Sequence, residues 1–124
     1  MGFEPFGTGW QAQAQTTDAG TPLVNGTGTI ISWTTPNDGK QHPFMVVGQV
    51  NVTSAETGGQ IQVTYTPPNG ATRTAQLTPG GSGLGVAVFA FVANVAAPGT
   101  TITVAQSTAL TAGAAVANAA IIGQ

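Results

Sequence analysis

The chain has 124 residues, no cysteine and a formal net charge of −2 at pH 7, and this length fits one domain that buries a core without disulfides. Only 5% of its residues are charged, against about 25% in ordinary domains. This composition excludes a disulfide framework and cysteine chemistry, and it argues against nucleic acid as a partner because too few Lys and Arg are present to neutralise phosphates.

Residues 1–20 differ from the rest of the chain. Phe3, Phe6 and Trp10 lie among Gly, Gln, Ala and Thr without sustained alternation. The pattern predicts an extended N-terminal arm over residues 1–20, followed by a β domain over residues 21–124. These three aromatic side chains are candidates for docking on a partner. An arm folded back on its own domain fits the pattern equally well.

The first half of the domain carries the period-2 pattern of strands with one buried face. Gly26–Thr35 predicts the first strand, with Trp33 in the core. Phe44–Val52 and Ile61–Tyr65 alternate apolar and other residues, and a small polar connector separates them. Asn69-Gly70 then predicts a hairpin, because both residue types tolerate positive φ.

The loop before the second predicted strand holds the one histidine, His42, near Asp38. A His and an Asp in one loop can form a catalytic pair, but no motif places a nucleophile with them. We therefore expect a solvated turn. No two carboxylates are spaced for acid–base work, and one histidine cannot build a metal site alone. The sequence predicts neither an enzyme nor a cofactor.

The second half of the domain indicates self-association. Leu84–Val95 is apolar on both parities, and a strand that is apolar on both faces is expected to be buried on both. In a two-sheet sandwich the second cover would come from another subunit. Ala114–Ile122 is a closing strand of small residues that permits close approach. The predicted interface residues are Phe89, Phe91, Val116 and Ile121.

A strand is also predicted over Thr100–Gln106, and turns rich in Gly and Pro separate the segments. The fold class predicted is therefore all-β, an antiparallel β-sandwich or jelly roll of about seven or eight strands with an extended N-terminal arm. The longest low-polarity stretch, Leu84–Ala97, is too short to span a bilayer, so no membrane partner is expected.

The stretch from Pro22 to the C-terminus resembles a domain that recurs in tailed-bacteriophage structural proteins. It is similar to trimeric jelly-roll heads of the tumour-necrosis-factor and complement-C1q type. The segments that carry the resemblance are Leu23-Val24-Asn25-Gly26, Ile30-Ile31-Ser32-Trp33, Pro36-Asn37-Asp38-Gly39, residues 54–59, residues 98–104 and Ala114–Ile122.

This resemblance implies a virion surface protein that forms a homotrimer. A short chain with an arm and no shaft repeat favours a capsid decoration protein that binds the major capsid protein on the outside of the shell. The alternatives are a fibre or tail-tip head, and a carbohydrate-binding module that takes a host glycan. For the carbohydrate-binding module, Tyr65 and His42 are the surface candidates.

Overall fold

The computed structural model describes residues 10–78 and 83–124. Strands dominate these residues, as expected from the alternating sequence. They are β1 (Gln11–Gln15), β2 (Thr21–Pro22), β3 (Gly28–Thr34), β4 (His42–Gly58), β5 (Ile61–Tyr65), β6 (Arg73–Gln76), β7 (Gly85–Ala96), β8 (Thr101–Gln106) and β9 (Leu110–Gly123).

The strands form two antiparallel sheets that pack face to face. The larger sheet has the order β1-β9-β4-β7, with β2 also paired to β9, and the smaller sheet has the order β3-β8-β5-β6. The prediction of an all-β antiparallel sandwich is confirmed. The closing strand β9 is central in the larger sheet, because β4 pairs with one side of it and β1 and β2 pair with the other.

The core lies between the sheets and is built from every second residue of the inner strands. Both sheets contribute side chains with no exposed surface, as the period-2 pattern predicts. The largest of these are Phe44, Val46 and Ile121 from the larger sheet and Ile61, Val63, Ile102 and Val104 from the smaller sheet.

The predicted hairpin at Asn69-Gly70 is confirmed, since β5 and β6 pair antiparallel around it. The connection before β5 differs from the expected polar connector. Strand β4 continues to Gly58, and consecutive strands β4 and β5 lie in different sheets. Gly58 and Gly59 have φ of 83° and 71°, a left-handed conformation that favours glycine. These two residues therefore turn the chain from one sheet to the other.

The later part of the predicted arm belongs to the larger sheet. Strand β1 pairs with β9 from Gln11↔Gly123 to Gln15↔Ala120, so this segment packs on its own chain. Trp10, just before β1, is half-buried. The other two aromatic residues of the arm, Phe3 and Phe6, lie outside the described residues.

Candidate assembly surface

Strand β7 forms one edge of the larger sheet, and it exposes an apolar row to solvent. Its inner parity places Phe89 in the core, and its outer parity carries Val86 and Val88. Val88 is 82% exposed and Leu84, just before the strand, is 72% exposed. The prediction from sequence that both faces are apolar is correct, but the described residues cover only the inner face.

A bulge near the end of β7 changes which parity faces inward. Phe44 of β4 pairs with Asn94, whereas Val46 pairs with Phe91, so β7 holds one extra residue there. After this bulge Asn94 and Ala96 take the inner parity. Asn94 accepts a hydrogen bond of 3.2 Å from the Tyr65 hydroxyl, and Ala96 is fully buried. Before the bulge, residues 85–91 pair regularly with β4.

The four predicted interface residues have different surroundings. Ile121 has no exposed surface and Phe89 is 6% exposed, so both lie in the core instead of on a surface that a partner could cover. Both face inward because they share the inner parity of their strands. Phe91 is half-buried beside Phe44 and Tyr65, with ring centroids 6.1 and 5.5 Å away. Val116 is half-buried close beneath Gly20.

The outer face of the larger sheet continues the apolar surface of β7. Register places Ala90 beside Val47, and Val47 beside Ala120. One residue among Asp, Glu, Lys and Arg occurs in the five strands of this sheet, Glu56, and it is buried. This face therefore presents methyl groups and amides to solvent and almost no formal charge.

An open groove of about 510 Å³ lies on the same face beside the turn between β1 and β2. Its lining includes Gln15, Asp18, Gln49 and Asn118. The Asn118 amide shapes one wall, because its Nδ2 donates to the carbonyl oxygens of Thr17 at 3.1 Å and of Asp18 at 3.4 Å. The exposed amides and the Asp18 carboxylate therefore place several polar groups together in this groove.

The turn over residues 36–41 is exposed, as expected, but the histidine at its end is buried. His42 is 5% exposed. Its Nδ1–H donates to the Gln124 carbonyl at 2.8 Å, and its Nε2 lies 2.9 Å from Asp38 Oδ1. Both ring nitrogens are therefore engaged, and the side chain ties the loop to the end of β9. The Gln124 carbonyl, with help from Asp38, raises the pKa of His42.

Both residues that the sequence nominated as glycan contacts are covered. Tyr65 is 7% exposed and packs against Phe44 with ring centroids 5.3 Å apart. His42 is held as described above, with the Trp33 ring at its edge. The groove beside Asn118 was missed from the sequence, because its residues come from three separate strands and a turn. The repeated Gln residues of β1 were the sequence signal that indicated polar side chains at this groove.

Over residues 10–78 and 83–124, no group of three or more His, Asp or Glu side chains is placed to hold a metal ion. In that same part of the chain, no helix has the length and apolar character needed to cross a membrane. No family model, curated protein or solved structure matches the chain.

Proposed function

We propose that this protein is a structural component of a virion, a capsid decoration protein that acts in several copies on the outside of the shell. The observation that carries the proposal is the uncharged outer face of the larger sheet, which ends in the exposed valines of β7. Contiguous apolar surface on a small domain is typical of a binding face. Like-charge repulsion, which keeps ordinary domains apart, is nearly absent.

The arm supplies the second part of the proposal. Residues 1–9 precede β1, whose first pair joins Gln11 to Gly123 at one end of the larger sheet. The sequence before β1 contains two large apolar side chains, Phe3 and Phe6. Aromatic side chains of this kind dominate the energetics of many interfaces. We assign to them the contact with the major capsid protein.

Immunogold electron microscopy tests the location. Antibodies raised against the purified protein should label the capsid shell of virus particles that carry its gene. Label confined to the tail tip would favour the fibre-head alternative. Particles that contain the protein in no detectable amount would overturn the virion assignment altogether.

A truncation tests the arm. Removal of residues 2–9 should abolish rebinding to capsids stripped of the protein, and the Phe3→Ala, Phe6→Ala double variant should do the same. Removal of residues 2–20 is a poorer test, because it also deletes β1 and exposes the edge of β9. Full capsid occupancy by both variants would show that the arm is not the anchor.

The polar groove favours a second candidate, a carbohydrate-binding head. Sugars are bound by planar polar side chains, and Gln15, Gln49 and Asp18 line an open groove without covering it. A glycan array should then give hits that are lost in Gln49→Ala and kept in Gln62→Ala, since Gln62 lies on β5 in the other sheet. An array without hits, or hits that Gln49→Ala leaves intact, would count against it.

A further inference from the structure

Strand β7 differs from the other sheet edges in having little protection against pairing. Natural edge strands are kept apart by short length, charge, proline or bulges. Strand β6 has four residues and begins with Arg73. Strand β1 has five residues and an irregular register, and β3 contains a register shift near Ile30. Strand β7 has 12 residues.

The regular part of β7, residues 85–91, contains no charge and no proline, and its bulge lies beyond Phe91. Alternate N–H and C=O groups of such a strand point away from β4, towards a position that no described strand occupies. The side chains beside this position are the exposed valines. The edge therefore offers both backbone hydrogen bonds and apolar area to another strand.

We infer that this edge binds the β7 strand of a second copy, antiparallel and centred on Val88, so that the larger sheets of two molecules join. The inference rests on the proposed multi-copy role and identifies the contact between copies. It gives a dimer in place of the homotrimer that the resemblance implies. It concerns the pairing of two molecules, whereas the capsid location depends on a different surface.

The sequence of β7 is self-complementary about Val88. On the outer face this register places Val88 opposite its own copy and Val86 opposite Ala90, so these pairs are apolar. On the inner face it places the half-buried Phe91 opposite Gly85 of the other copy, a large side chain beside a glycine. Like charges directly opposite each other destabilise a strand pair, and this strand has none. A two-fold contact needs such self-complementarity.

Light scattering on the intact chain gives the first test. The protein should have the mass of a dimer, and Val88→Lys should raise the dimer dissociation constant at least tenfold. Val24→Lys is the matched control, because Val24 is an exposed valine outside β7, and it should stay dimeric. Circular dichroism shows that each variant is folded.

Engineered thiols give the second test, because the chain has no cysteine. In the proposed register the two copies of Val88 lie opposite each other, with Cβ atoms about 5 Å apart. Val88→Cys should therefore cross-link the dimer on mild oxidation. The two copies of Val86 would be about 13 Å apart along the strands, so Val86→Cys should not cross-link.

Three results would overturn the inference. They are a monomer at every concentration, an oligomer whose mass Val88→Lys leaves unchanged, and equal cross-linking by Val88→Cys and Val86→Cys. A trimer would also overturn it, since two-fold pairing of one edge closes at two copies. None of these results bears on the capsid location, which the immunogold experiment decides separately.

Discussion

At the scale of the residue, Gly48 shows how one missing side chain permits the packing of β4 against its neighbours. Gly48 pairs with Phe89 of β7, and a Cβ at this position would lie 2.5 Å from Phe89 Cζ and even closer to the Asn118 carbonyl oxygen. Real Cβ atoms do not tolerate such contacts, and the backbone oxygen has little freedom to move. The absence of a side chain therefore lets the aromatic ring lie across the strand.

We expect Gly48→Ala to destabilise the protein by about 1–3 kcal/mol, the usual range for overpacking a filled core. Urea denaturation followed by circular dichroism measures this loss. Gly28→Ala is the matched control, because a Cβ at Gly28 meets nothing within 4 Å. Equal unfolding midpoints for the two variants would contradict the close packing at Gly48.

His42 makes stability depend on pH. The Gln124 carbonyl and the Asp38 carboxylate are both acceptors, so the imidazolium, with two N–H groups, satisfies both of them. This preference raises the pKa of His42 above its ordinary 6.5. Because the folded-state pKa is the higher one, the stabilisation is fully present below the unfolded value and is lost as pH rises through the folded value.

The free energy of unfolding should therefore fall as pH rises above about 6.5, the unfolded value, and should level off once the pH has passed the raised folded value. His42→Phe, which keeps a ring and removes the titrating group, should lack this fall. Asp38→Asn should reduce the fall only in part, because the Gln124 carbonyl is the larger cause of the raised pKa. An identical pH profile for wild type and His42→Phe would refute the assignment.

At the scale of the element, β8 is joined to two loops by its last side chain. Gln106 is buried, and its Oε1 accepts from the Val24 N–H at 2.9 Å. Its Nε2 donates to the carbonyl oxygens of Val24 at 2.7 Å and Thr108 at 2.9 Å. The amide thus ties the backbones of Val24 and Thr108 to the end of β8, and the Val24 carbonyl also accepts from the Leu110 N–H at 2.9 Å.

Gln106→Leu keeps the side-chain size and removes all three hydrogen bonds. We expect a loss of about 1–3 kcal/mol, because the Val24 N–H would lose its acceptor, and the shift of the urea midpoint measures it. Gln62→Leu, on the outer face of β5, should change the midpoint little. A comparable shift in both variants would show that the Gln106 amide has no special role.

At the scale of the whole molecule, the sandwich is held by side chains from both sheets that meet without exposed surface. Ile121 of β9 is one of them and Ile102 of β8 is another. The sequence made Ile121 a candidate interface residue. A substitution has different effects in a core and in an interface. A core residue affects unfolding, whereas an interface residue affects the mass of the assembly.

Ile121→Ala should destabilise the protein by about 2–5 kcal/mol, as large-to-small changes in a core do. Light scattering of the folded variant should give the same mass as the wild type. A change in mass without a loss of stability would instead place Ile121 between copies. The loss of stability in Ile121→Ala is compared with that in Val88→Ala, which removes methyl groups at an exposed position.

The fold class and the parity of most strands follow from the order of residues along the chain. Thr101–Gln106 illustrates why, because strict alternation of apolar side chains leaves one orientation in which Ile102 and Val104 are buried. The turn residues Asn69-Gly70 likewise predicted the β5–β6 hairpin. These signals are local, so a single segment contains all of the information that they need.

The pairing of the strands and the position of the open edge depend on how the folded layers come together. The sequence of β7 is apolar on both parities, and nothing within it says that Phe89 is covered while Val88 is not. Among the described residues, β4 is the strand that pairs with β7, and the opposite sheet covers its inner face. Burial is a property of the assembled layers, and the residues that form them come from distant parts of the chain.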